Sequence, residues 1–587
     1  MLQYGVSNGF DSSTALAWTK YFSSELQRGE LYPRWIPDMN RGAGSPAFFF
    51  YAPFSYYVTS LVAWMMPGHK LTFSLAWGET ILISLSSVAF YAYASRDFRR
   101  LPAACCAVVY MLLPYHFEID LWHRQALGEL ANYIWMPVVL HYTERLMREK
   151  RGVVGLAISY SLMVFSHLPS TLLFSICLAA YLLVVRPGYR PAAFLSRFGC
   201  AIGIGLLLAA IYWVPAVFCR NLIHPEAWLT WIYDFHLWLF PVKSLQAFRG
   251  VTELHVFGIR VFQVVSMTAL VGVLCGTAAL HCCEPIERRR LFRVLAFGGA
   301  ACFLMTSCSA FVWETFPLLA NVQFPYRFAM EVDLATTIAI LHAVGGMTFS
   351  SLSLTRWRVS GAAVVTLGLL GWCAATADVR NLLDLYYPEK LIQERDYYVR
   401  NGVDAPEYTP KWAPFDVDTF DNTTDIAGRP RVIVDPVAGT VQVARWRSRS
   451  ITLDVALSRA ASVTVRQFYW PNWSARIDNG AFQDVAPERK SGLIRLDLPD
   501  GSYHVQMRLR WLTEEIVGGV MSLIGVLLVV AACVSDKISD LFRRRQQNAQ
   551  TVHPDGSTPS TDRTHNGERG YSARVTLLPG HKSELPV

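Results

Sequence analysis

Charge is what this 587-residue sequence has least of: Asp, Glu, Lys and Arg make up 17% of it, against 52% hydrophobic residues and a mean hydropathy of +0.27. Apolar runs of ~18 or more residues recur, the length a helix needs to cross the hydrocarbon core. An ordinary soluble globule is excluded, and the chain reads as a polytopic membrane protein. Signature motifs are missing too. There is no G-x-x-x-x-G-K-[ST] loop, no G-x-G-x-x-G after a strand, no H-E-x-x-H and no G-x-S-x-G, so P-loop ATPase, dehydrogenase, zincin and hydrolase readings lack support. The spans show no internal duplication of the kind many secondary transporters carry. Cysteine is absent between Cys373 and Cys533, so no disulfide framework holds the polar segment there. Cys282 and Cys283 are adjacent and lack a second pair at zinc spacing. Most other cysteines lie in or beside apolar runs and read as small buried hydrophobes. The net charge of +8 does not point to nucleic acid, because in a membrane protein the placement of basic loops matters more than their sum.

What is present is a ladder of apolar segments. Candidate spans are residues 71–95, 101–115, 129–147, 153–168, 169–186, 198–218, 260–281, 291–310, 329–349, 358–377 and 514–534, about eleven by length. The run 46–66 is interrupted by Pro53 and carries Ser55, Tyr56, Tyr57 and Thr59; it reads as a helix lying along the interface. Basic residues follow alternate spans: Arg96, Arg99 and Arg100; Arg145, Arg148, Lys150 and Arg151; Arg186, Arg190 and Arg197; Arg288, Arg289, Arg290 and Arg293; Arg356 and Arg358; Arg543, Arg544 and Arg545. Every second loop is thereby placed in the cytoplasm. Residues 1–70 and 378–513 then face outside, the C-terminus faces inside, and a span upstream of "MLQYG" is expected, since that stretch is no signal peptide.

Five regions follow from this pattern. Residues 1–70 form a first outside loop with interfacial helices, and 71–377 the multi-span domain. Residues 378–513 form an outside domain that is β-rich from 430, 514–535 the last span, and 536–587 a basic and then disordered tail. The β assignment rests on period-two alternation (Ile451, Leu453, Val455, Leu457; Val505, Met507, Leu509) with "DNG" and "PDG" turns at 478–480 and 499–501. The fold class expected is an α-helical polytopic membrane protein with a C-terminal β-sandwich-like domain.

The polar residues of the outside loops are the candidate site. Asp11 is either a base for an incoming hydroxyl, a metal ligand, or a solvated loop acid or helix cap before Ser12 and Ser13. The loop 116–128 and its flank carry His116, Glu118, Asp120, His123, Arg124 and Glu129, and charges dipping towards a membrane are costly and usually paired. Arg124 with Asp120 or Glu129 makes either a structural ion pair or a substrate contact. His167 reads as a helix-hairpin cap or a catalyst. Arg327 is placed to grip a phosphate or to pair with Glu331 one turn on. Asp234 and His236 lie amid Trp228, Trp231, Tyr233, Phe235 and Trp238, an aromatic belt. Glu79, inside the first span, suits helix pairing.

The stretches "GELYPRWIPDMNRGAGSPAFFFYAPFSYY", "LPYHFEIDLWHRQALGEL", "FSHLPSTLLF", "NVQFPYRF" and "FYWPNWSARIDNG" together resemble the bacterial membrane proteins called 6-pyruvoyl-tetrahydropterin synthase-related, near the YfhO-like group. The label is not the chemistry: soluble pterin synthases use a three-histidine zinc site with an H-x-H pair, and no two histidines here are two apart. The wider resemblance is to GT-C glycosyltransferases, multi-span enzymes using polyprenyl-phosphate-linked sugars. That resemblance implies a GT-C-like helix bundle in the bacterial inner membrane and an acid in the first outside loop as catalyst, here Asp11. It implies a second acidic loop, matched by Glu118 and Asp120, and Arg124 or Arg327 on the leaving phosphate; Glu129, His167, Asp234 and His236 are further candidate substrate contacts read from the outside loops. The partners implied are a polyprenyl-phosphate sugar, membrane lipid and a glycan, lipid or protein acceptor, with no nucleic acid. No cofactor is fixed, and a divalent metal stays open. Family members often place a histidine or a second acid soon after the first acid, where this chain has Ser12, Ser13 and Thr14. The competing classes are a non-catalytic membrane assembly protein and a transporter of lipid-linked glycans.

Overall fold

A computed structural model describes residues 6, 9–184, 190–224, 231–240, 252–282, 285–345, 396–402, 404–414 and 429–551, with side chains to 534. The expected span 358–377, the end of 329–349, Trp228, Cys373 and the tail beyond 551 lie outside the described residues. The chain divides into one compact unit to Val530 and a second, Ala531–Val587.

Among the described residues six helical stretches are long and apolar enough to cross a membrane: Leu71–Ala94, Arg100–Arg124, Pro191–Leu208, Leu254–His281, Pro325–Gly345 and Thr513–Val534. The protein is a multi-pass membrane protein. In chain order the helices are α1 Ser12–Gln27, α2 Ala47–Phe50, α3 Phe54–Met65, α4 Leu71–Ala94, α5 Arg100–Leu112, α6 Leu127–Glu149, α7 Val153–Ser166 and α8 Leu168–Leu183. They continue with α9 Pro191–Leu208, α10 Ala210–Phe218, α11 Thr252–Cys282, α12 Pro285–Leu304, α13 Ala310–Thr315, α14 Pro317–Ala320, α15 Ala329–Gly345 and α16 Thr513–Thr551. Of the eleven stretches expected to span, these helices match six, and 358–377 lies outside the described residues. α7 and α8 fall short of spanning length, and α6 and α12 stay outside the apolar set. Their charges are spent inside the bundle: Glu144 of α6 accepts from Arg290 of α12 at 3.0 Å, Tyr181 at 2.9 Å and Tyr93 at 3.1 Å. A buried charge persists in such a place only when it is paired.

The run 46–66 breaks at Pro53, as its sequence foretells, into α2 and α3. α15 runs through the middle, with 78% of its apolar window buried, whereas the last span has only 11% buried. A helix apolar all round and so bare of protein contact is one that faces lipid. Cys105, Cys200 and Cys533 are exposed on such outward faces, so fewer cysteines are buried than their apolar setting suggests.

From Val432, counting the short strands β1 Val432–Ile433, β6 Gln483–Asp484 and β7 Ala486–Pro487, two antiparallel sheets stack, ordered β1-β4-β8-β7 and β2-β3-β9-β5-β6. The strands used below are β2 Gly439–Arg447, β3 Ser450–Leu457, β4 Ala461–Phe468, β5 Trp473–Ile477, β8 Leu493–Leu498 and β9 Gly501–Leu509. Alternate residues Ile451, Leu453, Val455, Val505, Met507 and Leu509 point inward, the period-two pattern expected of half-buried strands. The first loop enters the same core: Trp35, Ala43, Phe49 and Phe50 pack with Trp470 and Trp473. Trp35 Nε1 donates to Gln467 at 2.8 Å, and the Phe468 N–H donates to the Ala43 carbonyl.

Candidate functional site

The stretch after α5 reads from sequence as a polar loop. It is instead a buried helix of wide π-type turns, Tyr115–Arg124. Gln125 ends it in the left-handed region at φ 57°. The terminal carbonyls so freed accept main-chain bonds from the start of the chain: Phe10 N–H to His123 and Asp11 N–H to Arg124, each 2.9 Å. Gly9 is required there, because a Cβ would stand 2.9 Å from the carbonyl oxygens of Trp122 and His123. Asp11 is therefore placed by backbone, immediately before α1.

Asp11 precedes α1 without capping it, and its carboxylate takes no hydrogen bond among the described residues. It is exposed on one side and walled by protein on the others. That partial burial raises its pKa above the usual carboxylate range; Arg124 and Arg327 pull it back and Glu129 pushes it up. The two arginines converge on one acid. Glu129 receives Arg124 through Nη1 at 2.8 Å and Nη2 at 2.7 Å, and Arg327 Nε at 2.9 Å. Arg124 also bonds Asp120 at 2.9 Å and Tyr115 at 3.4 Å, so its fork is taken up. Arg327 spends Nε and Nη1, the latter on the Val322 carbonyl at 2.6 Å, and Nη2 has no partner among the described residues.

Aromatic rings wall this cluster. The Tyr326 ring lies beneath Arg124 at 5.5 Å, and Phe324 beneath Arg327 at 4.9 Å. Tyr51, Tyr56 and Tyr233 feel the Asp11 charge. Tyr51 and Tyr326 sit within "FFFYAPF" and "QFPYRF", where dense aromatics around Pro were the available signal.

Asp404 and Glu407 had no such signal. Asp404 accepts from Trp18 Nε1 at 2.7 Å and from the Ser45 hydroxyl. Burial pushes its pKa up to about 6, against the pull of those bonds. Burial likewise pushes Glu407 up to about 7, with the Asp11 charge adding to it. Asp404→Ala should cost roughly 1–3 kcal/mol, since Trp18 and Ser45 lose a buried acceptor, and Asp404→Asn should cost less. With the folded pKa above the unfolded one, Asp404 contributes stability below about pH 4 that is lost as pH rises to about 6. Thermal midpoints of the detergent-solubilised protein across that window should show the slope in wild type and not in the Asn variant.

The other candidates are placed as follows. Glu118 faces Arg260 of α11 in a bidentate pair, 2.5 and 2.7 Å, with His123 at 3.6 Å, and so clamps helices together. His167 caps α8, its Nδ1 2.7 Å from the Ser170 hydroxyl. Its ring lies 6.4 Å from that of Tyr51. Asp234 and His236 are exposed and bond each other at 2.8 Å, with Glu314 3.3 Å from the ring's other nitrogen. Their own loop reaches the Asp11 cluster through Tyr233 instead. Arg327 does not pair with Glu331, whose two oxygens are buried with no hydrogen bond among the described residues. Glu79 meets Gln125 at 3.3 Å. Among the described residues no three His, Cys, Asp or Glu side chains gather to hold a metal, and Glu129 gives both oxygens to arginine.

Residues 48–379 match the family described as 6-pyruvoyl-tetrahydropterin synthase related domain, membrane protein. The chain belongs to this family. The match covers more than half of the sequence, from α2 onward, and takes in the π-helix, Glu129 and Arg327. Curated proteins give no match. Among solved structures, ArnT from Cupriavidus metallidurans bound to undecaprenyl phosphate aligns at 14% identity and a TM-score of 0.30, over 58% of this chain and 74% of that one. The histidine spacing of this pterin synthase-related protein gives no support to pterin chemistry, whatever the family's label.

Proposed function

We propose that this pterin synthase-related protein is a GT-C-type membrane glycosyltransferase. It moves a sugar from a polyprenyl-phosphate donor to a glycan, lipid or protein acceptor on the outer face of the bacterial inner membrane. The observation that carries the reading is an open carboxylate, fixed by main chain and uncapped, beside an arginine with a donor to spare.

In the step, Asp11 takes the proton of the acceptor hydroxyl as that oxygen bonds the sugar's anomeric carbon. The bond from that carbon to the phosphate oxygen breaks, and the lipid phosphate leaves with the electron pair. Attack from the face opposite the phosphate inverts the centre. Charge growing on the departing phosphate meets Arg327 Nη2. Arg124, with its fork committed, positions Glu129 and the end of the π-helix. Tyr51, Tyr233 and Tyr326 offer ring faces to the sugar. The basic loops after alternate spans support the outer-face placement, and the first loop and β-sandwich share one core, so they lie on one side together.

The test is a transfer assay in membranes with a synthetic polyprenyl-phosphate sugar, read by product mass. One sugar unit should appear on the acceptor with release of polyprenyl phosphate. Passage of the intact donor across the bilayer with no bond changed would make the protein a transporter instead. Arg327→Lys keeps the charge but loses the planar fork; it should lower kcat by about a hundredfold while protein level in the membrane is unchanged.

A further inference from the structure

α1 carries Asp11 at its start and a second, separate hollow at its end. Its 16 residues set the two about 24 Å apart. This hollow, about 230 Å³, is lined by Glu25, Arg28 and Glu30 and by Arg445, Arg447 and Arg449 of the β2–β3 hairpin. Half of those charges are spoken for. Arg28 bonds Glu25 at 2.5 Å, and Arg449 bonds Glu515 at 2.5 Å, where Arg34 also arrives at 2.9 Å. The side chains of Arg445 and Arg447 are exposed and make no ion pair or hydrogen bond among the described residues, and the Glu30 carboxylate likewise makes neither, although it feels the charges of Arg449 and Arg34.

A neighbouring hollow of about 350 Å³ is apolar, lined by Tyr32, Phe54, Tyr57, Leu162, Phe165 and Ile211. Arg34 ties the two together. Its guanidinium lies 4.2 Å over the Tyr32 ring and donates to the Ile211 carbonyl at 2.5 Å and to Glu515. Depth follows from Glu515, which sits in the first turn of the last span. Trp511 lies 4.4 Å under Arg449 and is 49% exposed. Leu31, next to Glu30, is 84% exposed. Such residues mark the boundary between water and hydrocarbon.

We infer that these two hollows together bind one zwitterionic phospholipid. Its phosphodiester sits on Arg445 and Arg447, its ammonium on Glu30, and an acyl chain in the apolar part. Guanidinium forks match phosphate oxygens, and the three unpaired charges are the complement of a phosphate-plus-amine headgroup. A soluble phosphate would leave the aromatic and aliphatic lining to water. The distance along α1 keeps this lipid clear of the reacting one.

The full chain, delipidated in non-ionic detergent, is titrated by native mass spectrometry with dioleoyl phosphatidylethanolamine, dioleoyl phosphatidylglycerol and soluble phosphoethanolamine. One phosphatidylethanolamine should bind per chain, more tightly than phosphatidylglycerol. The R445A/R447A variant should weaken it about tenfold or more. Glu30→Gln should erase the preference between the two lipids. R459A/R495A, at arginines already paired with Asp435 and Asp497, should bind as wild type does. Equal binding by wild type and R445A/R447A overturns the inference, as does equal affinity for the two lipids in wild type. Phosphoethanolamine bound as tightly as the lipid would give the site to a soluble ligand and overturn it too. Both arginines are exposed, so an unchanged thermal midpoint separates lost binding from lost fold.

Discussion

Asp11→Asn is expected to end sugar transfer, with a loss of about 10²–10⁴-fold, while the protein still inserts and folds. The expectation of intact structure comes from the way the residue is held. Its own N–H and that of Phe10 bond the carbonyls at the end of the π-helix, and neither bond involves the carboxylate. Asn has the same shape and only lacks a basic oxygen. The pH profile offers an independent check. Partial burial raises the Asp11 pKa above the ordinary carboxylate value, and base catalysis needs the ionised form. Wild-type kcat/KM should therefore fall as pH falls through a limb displaced above about 4. Residual transfer in the Asn variant should lack that limb. Transfer by Asp11→Asn at the wild-type rate would take this residue out of the mechanism.

Glu129→Ala is expected to be the most damaging single change to stability. One carboxylate holds three charge-assisted bonds there, two from Arg124 and one from Arg327. Without it, Arg124 keeps Asp120 while Arg327 has no ion pair left among the described residues, and both guanidiniums are largely sequestered from water. Breaking a buried ion pair from one side costs roughly 3–5 kcal/mol. The thermal midpoint in detergent and the yield in the membrane should both drop sharply. Removing Arg327 as well should recover part of the loss, because the uncompensated charge goes with it. A Glu129→Ala protein as stable as wild type would show that the cluster does not anchor the bundle.

What the sequence disclosed follows local rules. The Pro53 break, the switch to period two near residue 430, the "DNG" turn after β5 and the Arg124–Asp120 and Arg124–Glu129 spacings all depend on neighbours a few residues apart. The π-helix was hidden because its charges imitate a solvent loop. Their partners lie far along the chain: Glu118 is satisfied by Arg260, 142 residues on, and Glu129 by Arg327, 198 residues on. Asp404 illustrates the same limit, since the groups that fix it, Trp18 and Ser45, stand more than 350 positions earlier. His167 went the other way. Its local capping geometry was readable from "SHLPS", and that is what it does.

The shared core of the first loop and the β-sandwich ties two distant parts into one mechanical train. Trp35 and Ala43 are bolted to Gln467 and Phe468, and the same loop continues back into the rod whose tip bears Asp11. A load applied to the sandwich would be transmitted through these ties and along α1 to the Asp11 carboxylate.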